Sequence, residues 1–350
     1  MSECMPAVVY KAPGHFALEM RPVPKIIHPS DAIVQVTMAS ICSSDIHIKH
    51  GSVPKARPGI IVGHEMVGIV TECGSALSDF APGDRVTVNV ETFCGQCFYC
   101  QKGFVNNCTV PDGGWSLGCR IDGGQTMYVR VPHAQNGLNH IPDNVTDEQA
   151  IFTGDILSTG YWGAQISEIS AKDTVAVIGA GPTGLCTMLC ARLYKPAQII
   201  AIDTDPDRLK LALHHKIADM AINPATQNIV QEIAGLTSKR GADIVIEAAG
   251  GKDTFQMAWQ IARPNAIVTI IALYDENQIL PLPRMYGKNL TFKTGGVDAC
   301  HCDDILQFIS KGQLDTTSLI THHFPLKQAM DAYDLFENKK DGVMKVILTP

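Results

Sequence analysis

The sequence has no apolar run that approaches the ~20 residues of a membrane-spanning helix. It also lacks a dense block of lysine and arginine, and its formal net charge is -7. An acidic chain without a basic patch is not expected to bind nucleic acid or an anionic membrane surface. Internal repeats and low-complexity tracts are absent as well. With 45% hydrophobic and 18% charged residues, the composition is that of an ordinary globular protein.

The N-terminal sequence, Met-Ser-Glu-Cys-Met-Pro, lacks a basic segment followed by an apolar stretch, so we expect a cytoplasmic protein. Its 350 residues are enough for two domains, each with a core of its own. The 12 cysteines are then expected to be reduced, and clustered reduced cysteines more often bind metal than form disulfides.

A glycine-rich turn near the middle of the chain is the strongest single motif. An apolar strand, Val175 to Ile178, leads into a helix, and a second apolar strand ends at Asp203. This order predicts a dinucleotide-binding βαβ unit, in which the glycines allow a tight turn, the approach of a pyrophosphate and close packing of the helix. The turn and the start of the helix supply the predicted cofactor-binding residues Gly179, Gly181, Pro182, Thr183 and Gly184.

Asp203 indicates which dinucleotide is bound. It follows the last glycine by ~20 residues, where a carboxylate hydrogen-bonds the ribose 2′-hydroxyl and repels a 2′-phosphate. The sequence therefore predicts NAD(H) rather than NADP(H). Arg208 is kept as a further cofactor-binding candidate because a nearby arginine can accommodate that phosphate, although a solvated helix residue is the simpler interpretation.

Four cysteines lie close together in the first half of the chain: Cys94, Cys97, Cys100 and Cys108. Four thiolates can close around one tetrahedral Zn²⁺ and leave no open position, which is typical of a structural site. Disulfides are the alternative interpretation, and a reducing compartment disfavours them. We expect this zinc to stabilise a long loop, at about residues 91–110, without taking part in chemistry.

Two further residues are of the kind that zinc binds. Cys42 lies in Ile-Cys-Ser-Ser-Asp-Ile-His, and His64 lies in Gly-His-Glu. Two ligands do not complete a site, and spacing alone does not identify a third. Taken singly, Cys42 is explained as a small buried apolar residue and His64 as a hydrogen-bonded histidine of the core.

Together the motifs resemble those of the zinc-dependent medium-chain alcohol dehydrogenases. The resemblance covers nearly the whole chain and implies a catalytic zinc held by Cys42, His64 and Asp155. Aspartate at the third position is typical of the bacterial secondary-alcohol dehydrogenases. The best-known of those enzymes differ from this chain in having small residues suited to NADP(H) where it has Asp203, and several lack the four cysteines. The motifs are Cys42-x-Ser44-Asp45-x-His47, Gly63-His64-Glu65, the four cysteines, Asp155-x-x-Ser158-Thr159-Gly160-Tyr161 and the glycine turn.

The same resemblance implies roles for three residues beside the metal. Ser44 is similar to the relay hydroxyl that takes the alcohol proton, and His47 to the outer imidazole, whose pKa near neutrality suits that position. Glu65 is expected close to the metal, either as a transient ligand or as a carboxylate that holds positively charged neighbours, and we favour the second. Trp115 is a candidate for lining the substrate pocket.

The predicted fold class is α/β. Short β-like runs in the first half, among them Gly59 to Val62, indicate a mostly-β domain, and alternating strands and helices from about residue 156 indicate a doubly wound parallel sheet. The resemblance implies a discontinuous GroES-like catalytic domain, 1–155 and 295–350, and a Rossmann NAD-binding domain, 156–294.

The predicted function is reversible hydride transfer between a small, preferably secondary, alcohol and NAD, with two zinc ions per chain. Zinc with an open position acts as a Lewis acid on the alcohol or carbonyl oxygen. The alternatives are a polyol or aldehyde dehydrogenase of the same family and, from another class, a non-catalytic NAD-binding structural or sensor protein. By analogy with the family we expect a homo-oligomer, either a dimer or a tetramer.

Overall fold

The structure is a computed structural model that describes residues 3–350 of the chain. The chain divides into two compact units: Met1–Ser158 with Asp298–Pro350, and Thr159–Val297. The first unit is therefore built from both ends of the chain. Among the helices of residues 3–350, none is both long and apolar enough to cross a bilayer.

The N-terminal part of the first unit consists mainly of short strands. They are β1 (Cys4–Ala12), β2 (His15–Pro22), β3 (Ala32–Ile41), β4 (Glu65–Cys73), β5 (Arg85–Val88), β6 (Glu91–Thr92), β7 (Gly114–Trp115), β8 (Tyr128–Val131) and β9 (Leu138–His140). The helices are α1 (Ser43–His50), α2 (Ala134–Gly137), α3 (Asp147–Ala150) and α4 (Ile156–Ile166), and the boundary between the units falls inside α4.

The second unit alternates strands and helices. Its strands are β10 (Thr174–Ile178), β11 (Gln198–Ile202), β12 (Met220–Ile222), β13 (Ala242–Glu247), β14 (Ala262–Ile270) and β15 (Thr291–Thr294). Its helices are α5 (Pro182–Arg192), α6 (Pro206–His214), α7 (Ile229–Leu236), α8 (Thr254–Ile261) and α9 (Leu282–Met285). The strands form one parallel sheet in the order β12-β11-β10-β13-β14-β15. This is the doubly wound order of a dinucleotide-binding domain, with its switch point between β10 and β13.

The chain then returns to the first unit through α10 (Cys302–Ser310), β16 (Ile320–Pro325), α11 (Ala329–Glu337) and β17 (Lys345–Thr349). The last strand pairs antiparallel with β3, with Val346 opposite Ile41. The result is a seven-stranded sheet in the order β16-β17-β3-β4-β5-β9, to which β8 adds by pairing with β3. Buried Val, Ile and Leu side chains from β3, β4, β5 and β17 fill the cores on this sheet.

The predicted fold class is confirmed: a mostly-β unit is combined with a parallel, doubly wound sheet. One predicted β-run is wrong. Residues 59–62 form only an isolated bridge, Ile61 to Val9. Pro58 has no N–H to donate to a ladder, and Gly59 has φ +92°, so the chain enters this run from a turn and not from a strand.

Candidate catalytic metal site, cysteine lobe and cofactor turn

Two predicted ligands meet because the strands that carry them pair. β3 ends at Ile41, one residue before Cys42, and β4 begins one residue after His64. The antiparallel register sets Ser40 opposite Glu65, so Cys42 and His64 leave the sheet at the same place. Gly63 is required here. It has φ +96°, and a Cβ at this position would lie 2.4 Å from the Gln125 side chain.

Asp155 reaches the same place from a different part of the chain. Its neighbour Gly154 accepts a hydrogen bond from the Val90 N–H at 2.9 Å and packs directly on the end of β5. The Asp155 Oδ2 atom lies 3.2 Å from His64 Nε2 and 3.6 Å from Cys42 Sγ. Residues 113 positions apart in sequence therefore form one cluster.

This cluster fits a zinc ion. One ligand atom from each of Cys42, His64 and Asp155 lies within 4.8 Å of the other two, and all three residues are buried. Sulfur, imidazole nitrogen and carboxylate oxygen are the ligands that zinc takes at bond lengths of about 2.0 to 2.3 Å. Three protein ligands leave the fourth tetrahedral position for a substrate oxygen, as in catalytic zinc sites.

The electrostatics of the cluster favour a positive charge at His64. Burial works against the protonated imidazole, but the carboxylates of Asp45 and Asp155 outweigh it and hold the pKa of His64 well above its usual value. A divalent cation satisfies the same carboxylates while the imidazole remains neutral.

Asp45 orients the histidine from the opposite side. Its Oδ1 lies 3.2 Å from His64 Nδ1, and its Oδ2 accepts the Cys42 backbone N–H at 3.0 Å and the Gln125 Nε2–H at 3.2 Å. Gln125 Oε1 in turn accepts the Tyr333 hydroxyl at 2.8 Å. Carboxylates in this position typically fix the ring of a metal-binding histidine. Sequence reasoning gave Asp45 no role, although its place at the third position of α1 is a recognisable capping position.

Glu65, next to the His64 ligand, is paired with a buried lysine. Its Oε2 atom is hydrogen-bonded to the ammonium of Lys345, which also donates to the Ile41 carbonyl at 2.8 Å and lies over the Phe152 ring. Both charged side chains are almost completely buried. Sequence reasoning missed Lys345, because only the pairing of β17 with β3 brings it to Glu65.

Ser44 and His47 lie on one face of α1, three residues apart. The Ser44 hydroxyl lies 3.7 Å from Cys42 Sγ, so this face of the helix begins at the metal cluster. Ser44 therefore lies beside the metal cluster, and His47 lies about one helical turn further along α1.

The four-cysteine lobe is a second possible metal site. One sulfur from each of Cys94, Cys97, Cys100 and Cys108 lies within 4.8 Å of the others. None of the twelve cysteines, all of which lie within residues 3–350, forms a disulfide, so no disulfide competes. Backbone N–H groups of Cys100 and Thr109 lower the pKa of Cys97 to about 5, which favours a thiolate at that position. Burial raises the pKa of Cys100 to about 12 and also raises that of Cys108, so a metal would have to displace the protons of these two thiols. The lobe fits a structural zinc.

The glycine turn of the second unit has the geometry of a phosphate-binding loop. Gly179 follows β10 with φ +99°, and Gly181 is the N-cap of α5. A Cβ on Gly184 would lie 1.8 Å from the Gly179 carbonyl oxygen, so only glycine lets the helix approach the strand this closely. Pro182 and Thr183 form the first turn of α5, whose free N–H groups favour an anion.

Asp203 lies against this turn, beyond the end of β11. Its Oδ2 accepts the Ala180 N–H at 2.7 Å, and its Oδ1 accepts the Asp205 N–H at 2.9 Å. Arg208, on α6, is also close, since its Nη1 lies 3.5 Å from the Cβ position of Gly181. Its guanidinium is 3.6 Å from Asp205. The predicted cofactor residues of the second unit thus form one cluster.

A cysteine–histidine–aspartate metal set and a dinucleotide-binding sheet define a metal-dependent dehydrogenase that uses a nicotinamide cofactor. Family comparisons agree: residues 28–143 match the alcohol dehydrogenase GroES-like domain, and residues 182–304 match the zinc-binding dehydrogenase domain. The chain belongs to the zinc-dependent medium-chain alcohol dehydrogenases.

Individual relatives are similar over nine tenths or more of their length. An alcohol dehydrogenase of Cupriavidus necator is 35% identical, with 100% of both chains covered. An NADP-dependent isopropanol dehydrogenase of Thermoanaerobacter brockii is 30% identical over 91% of this chain and 93% of the relative. The apo structure of zinc-dependent alcohol dehydrogenase 2 from Streptococcus pneumonia superimposes with a TM-score of 0.93 at 35% identity, covering 99% of this chain and 98% of that one. The family assignment makes the chain an oxidoreductase that acts on the CH–OH group of alcohols.

Proposed function

We propose that this protein reversibly oxidises small secondary alcohols to ketones with NAD as its cofactor. The observation that carries the proposal is the convergence of Cys42, His64 and Asp155 within 4.8 Å in a chain of this family. The resemblance associates aspartate at the third position with secondary-alcohol enzymes, and the similarity to an isopropanol dehydrogenase supports that substrate class.

Each chain is proposed to hold two zinc ions, one at these three residues and one in the cysteine lobe. When bound, the catalytic zinc supplies Lewis acidity to the substrate oxygen, and the nicotinamide accepts or gives the hydride. Asp45 holds the His64 ring in its ligating orientation. Glu65 keeps Lys345 paired, so that no unpaired buried ammonium opposes a cation at the site.

Ser44 and His47 are proposed to carry the alcohol proton away. The Ser44 hydroxyl accepts the proton from the substrate oxygen while it gives up its own, and the His47 imidazole is the outer acceptor of the released proton. Ser44→Ala is expected to lower kcat about 100-fold and to change the pH profile of hydride transfer, whereas the neighbouring Ser43→Ala has little effect. Pre-steady-state NADH formation measured across pH gives the rate of hydride transfer. An unaltered pH profile in Ser44→Ala would contradict the assignment of Ser44 to a proton relay.

The preference for NAD rests on Asp203. A fixed carboxylate beside the glycine turn accepts a ribose 2′-hydroxyl and repels a 2′-phosphate. The isopropanol dehydrogenase relative is NADP-dependent. Arg208 lies close enough to the turn to favour NADP(H) instead, because an arginine can accommodate the 2′-phosphate. We expect kcat/KM for NAD⁺ to exceed that for NADP⁺ by at least about tenfold.

The remaining assignments follow from this function. Residues 1–155 and 295–350 are proposed as the catalytic domain and 156–294 as the NAD-binding domain, and the compact units support similar limits. A homo-oligomer, a dimer or a tetramer, in the cytoplasm is proposed by analogy with the family.

The proposed function is tested with zinc-loaded protein and a series of primary, secondary and polyhydric alcohols. NAD⁺ or NADP⁺ reduction is followed spectroscopically, and metal content is measured on the same sample. Two zinc ions per chain and NADH formation from secondary alcohols are expected. Two zinc ions without turnover of any alcohol would contradict the proposal.

A further inference from the structure

The short β6–β7 pair carries buried polar atoms that the rest of the first unit does not satisfy. In antiparallel pairing, Glu91 lies directly opposite Trp115. Within residues 3–350, four buried atoms of this pair and the next residue have no hydrogen-bond partner: Glu91 Oε2, Thr92 Oγ1, Trp115 Nε1 and Ser116 Oγ. Native proteins rarely leave such groups unpaired, because each costs about 1 to 3 kcal/mol.

Glu91 and Trp115 are the informative members of this group. Directly opposed residues of an antiparallel pair project to the same face with Cβ atoms about 4.5 to 5.5 Å apart. Glu91 is only 2% exposed, and its carboxyl group forms no ion pair within residues 3–350, although the Arg120 guanidinium is near enough to act against the rise of its pKa. The pair therefore holds a carboxyl acceptor beside an indole N–H donor, and neither bonds to the other.

This pair lies next to the catalytic cluster. The Trp115 ring meets the His64 ring edge-on, with centroids 5.4 Å apart. Burial, together with the carboxylates of Asp298 and Asp155, raises the pKa of Glu91 well above its usual value. Glu91 is thus within electrostatic reach of the Asp155 ligand while lacking a partner of its own.

We propose that Glu91 and Trp115 together bind a second hydroxyl group of the substrate, so that short diols are preferred over the corresponding mono-alcohols. This inference rests on the proposed alcohol dehydrogenase function and specifies its substrate class. A hydroxyl accepts one hydrogen bond, from Trp115 Nε1, and donates one, to the Glu91 carboxyl group. It is the simplest group that satisfies both atoms.

Other substrate groups fit less well. An ammonium has donors only and leaves the Trp115 N–H unpaired. A carboxylate is repelled by the nearby charge of Asp155. A methyl group leaves both buried polar atoms unsatisfied, and sites built to bond a hydroxyl discriminate strongly against analogues that lack it.

The test compares 2-butanol with 2,3-butanediol and 1,3-butanediol, which differ from it by one hydroxyl. Glu91→Leu removes the acceptor, and Trp115→Phe removes the N–H while keeping an aromatic ring against His64. Thr316→Val is the matched control, because Thr316 Oγ1 is also buried and unpartnered but lies outside the β6–β7 pair. Steady-state kcat and KM are measured for each alcohol with zinc-loaded holoenzyme.

In the wild type, kcat/KM for at least one diol is expected to exceed that for 2-butanol about tenfold or more. Glu91→Leu should lower this ratio at least about tenfold, and Trp115→Phe about three- to tenfold, mainly through KM for the diol. Thr316→Val should keep the wild-type ratio.

Equal losses for diol and mono-alcohol in both variants would make the pair structural and overturn the inference. A wild type that oxidises 2-butanol as well as either diol would also overturn it, even if the variants fold poorly, while leaving the proposed function in place. Failure of all three alcohols and of the wider series would instead count against the proposed function itself.

Discussion

The two possible metal sites of the first unit are built in opposite ways. The lobe takes four thiols from one segment, with Cys94 and Cys108 only fourteen positions apart, and most of its residues are partly exposed. The catalytic cluster takes one thiol, one imidazole and one carboxylate from segments up to 113 positions apart, and all three residues are buried. A metal bound by four residues of one segment stabilises that loop. A site whose ligands come from distant segments forms only after the whole unit has folded.

The groups that surround the two sites also differ in being local at one site and distant in sequence at the other. In the lobe, backbone N–H groups hold the sulfurs, as at Cys108, whose Sγ accepts the Cys94 N–H at 3.4 Å. Around the catalytic cluster, side chains from β17, α11 and the segment before β8 support the ligands through Lys345, Tyr333 and Gln125. Loss of a ligand should therefore affect folding at the lobe and chemistry at the catalytic cluster.

Cys42→Ser is the change with the largest expected effect. It removes the only thiolate of the catalytic cluster, and kcat/KM should fall at least about 1,000-fold because the metal is lost or misplaced. Zinc content should fall from two ions to one per chain. Activity assays and metal analysis of purified protein measure both quantities.

Cys73→Ser is the matched control, since Cys73 is a partly buried thiol outside both clusters. It should keep two zinc ions and near-normal turnover. If Cys42→Ser kept two zinc ions and normal turnover, the assignment of the catalytic cluster would be wrong.

Cys100→Ser makes the same chemical change in the lobe. The free energy of unfolding should fall by roughly 3 kcal/mol, and Tm by about 5 °C or more, because the loop loses its metal clip. Turnover per folded molecule should change less than about threefold. Calorimetry and active-site titration separate the two effects. A loss of turnover at unchanged Tm would mean that the lobe takes part in catalysis and is not a structural site.

The sequence predicted local features better than dispersed ones. The glycine turn and the cysteine lobe each lie within a short segment, so residue type and spacing were sufficient. Cys42 and His64 were recognised as ligand types, but Asp155 entered only through resemblance to a family. The register of β3 with β4 brings Cys42 to His64. No local sequence pattern predicts that the end of β3 lies beside the start of β4.

The supporting residues were missed for the same reason. Lys345 meets Glu65 across 280 positions, and Tyr333 meets Gln125 across 208, so both contacts exist only after the C-terminal segment has joined the N-terminal sheet. Helix α1 was not predicted either. Its eight residues are too few for a convincing apolar period, and tertiary contacts of Asp45 and Ile48 hold it in place.

Asp45→Asn tests whether this support matters to the metal. It keeps the size of the side chain but removes the charge that faces His64, so zinc affinity and kcat/KM should fall about 10- to 100-fold. Zinc titration in a chelator buffer measures affinity. Asp31→Asn is the control, because Asp31 is an equally buried carboxylate that accepts backbone N–H groups but pairs with Arg130. Equal zinc affinity in the two variants would remove the orienting role of Asp45.

Tyr333→Phe changes the outermost residue of the series of contacts that runs from Tyr333 through Gln125 and Asp45 to His64, and it should have the smallest effect. It leaves Gln125 Oε1 without its donor, so the free energy of unfolding should fall by about 1 kcal/mol and kcat/KM by less than about fivefold. Tyr10→Phe is the control because Tyr10 lies in the same hydrophobic core. Denaturant unfolding of both variants measures the difference. A loss as large as that of Asp45→Asn would mean that the hydrogen-bond chain acts as one unit, since independent contacts should weaken with distance from the metal.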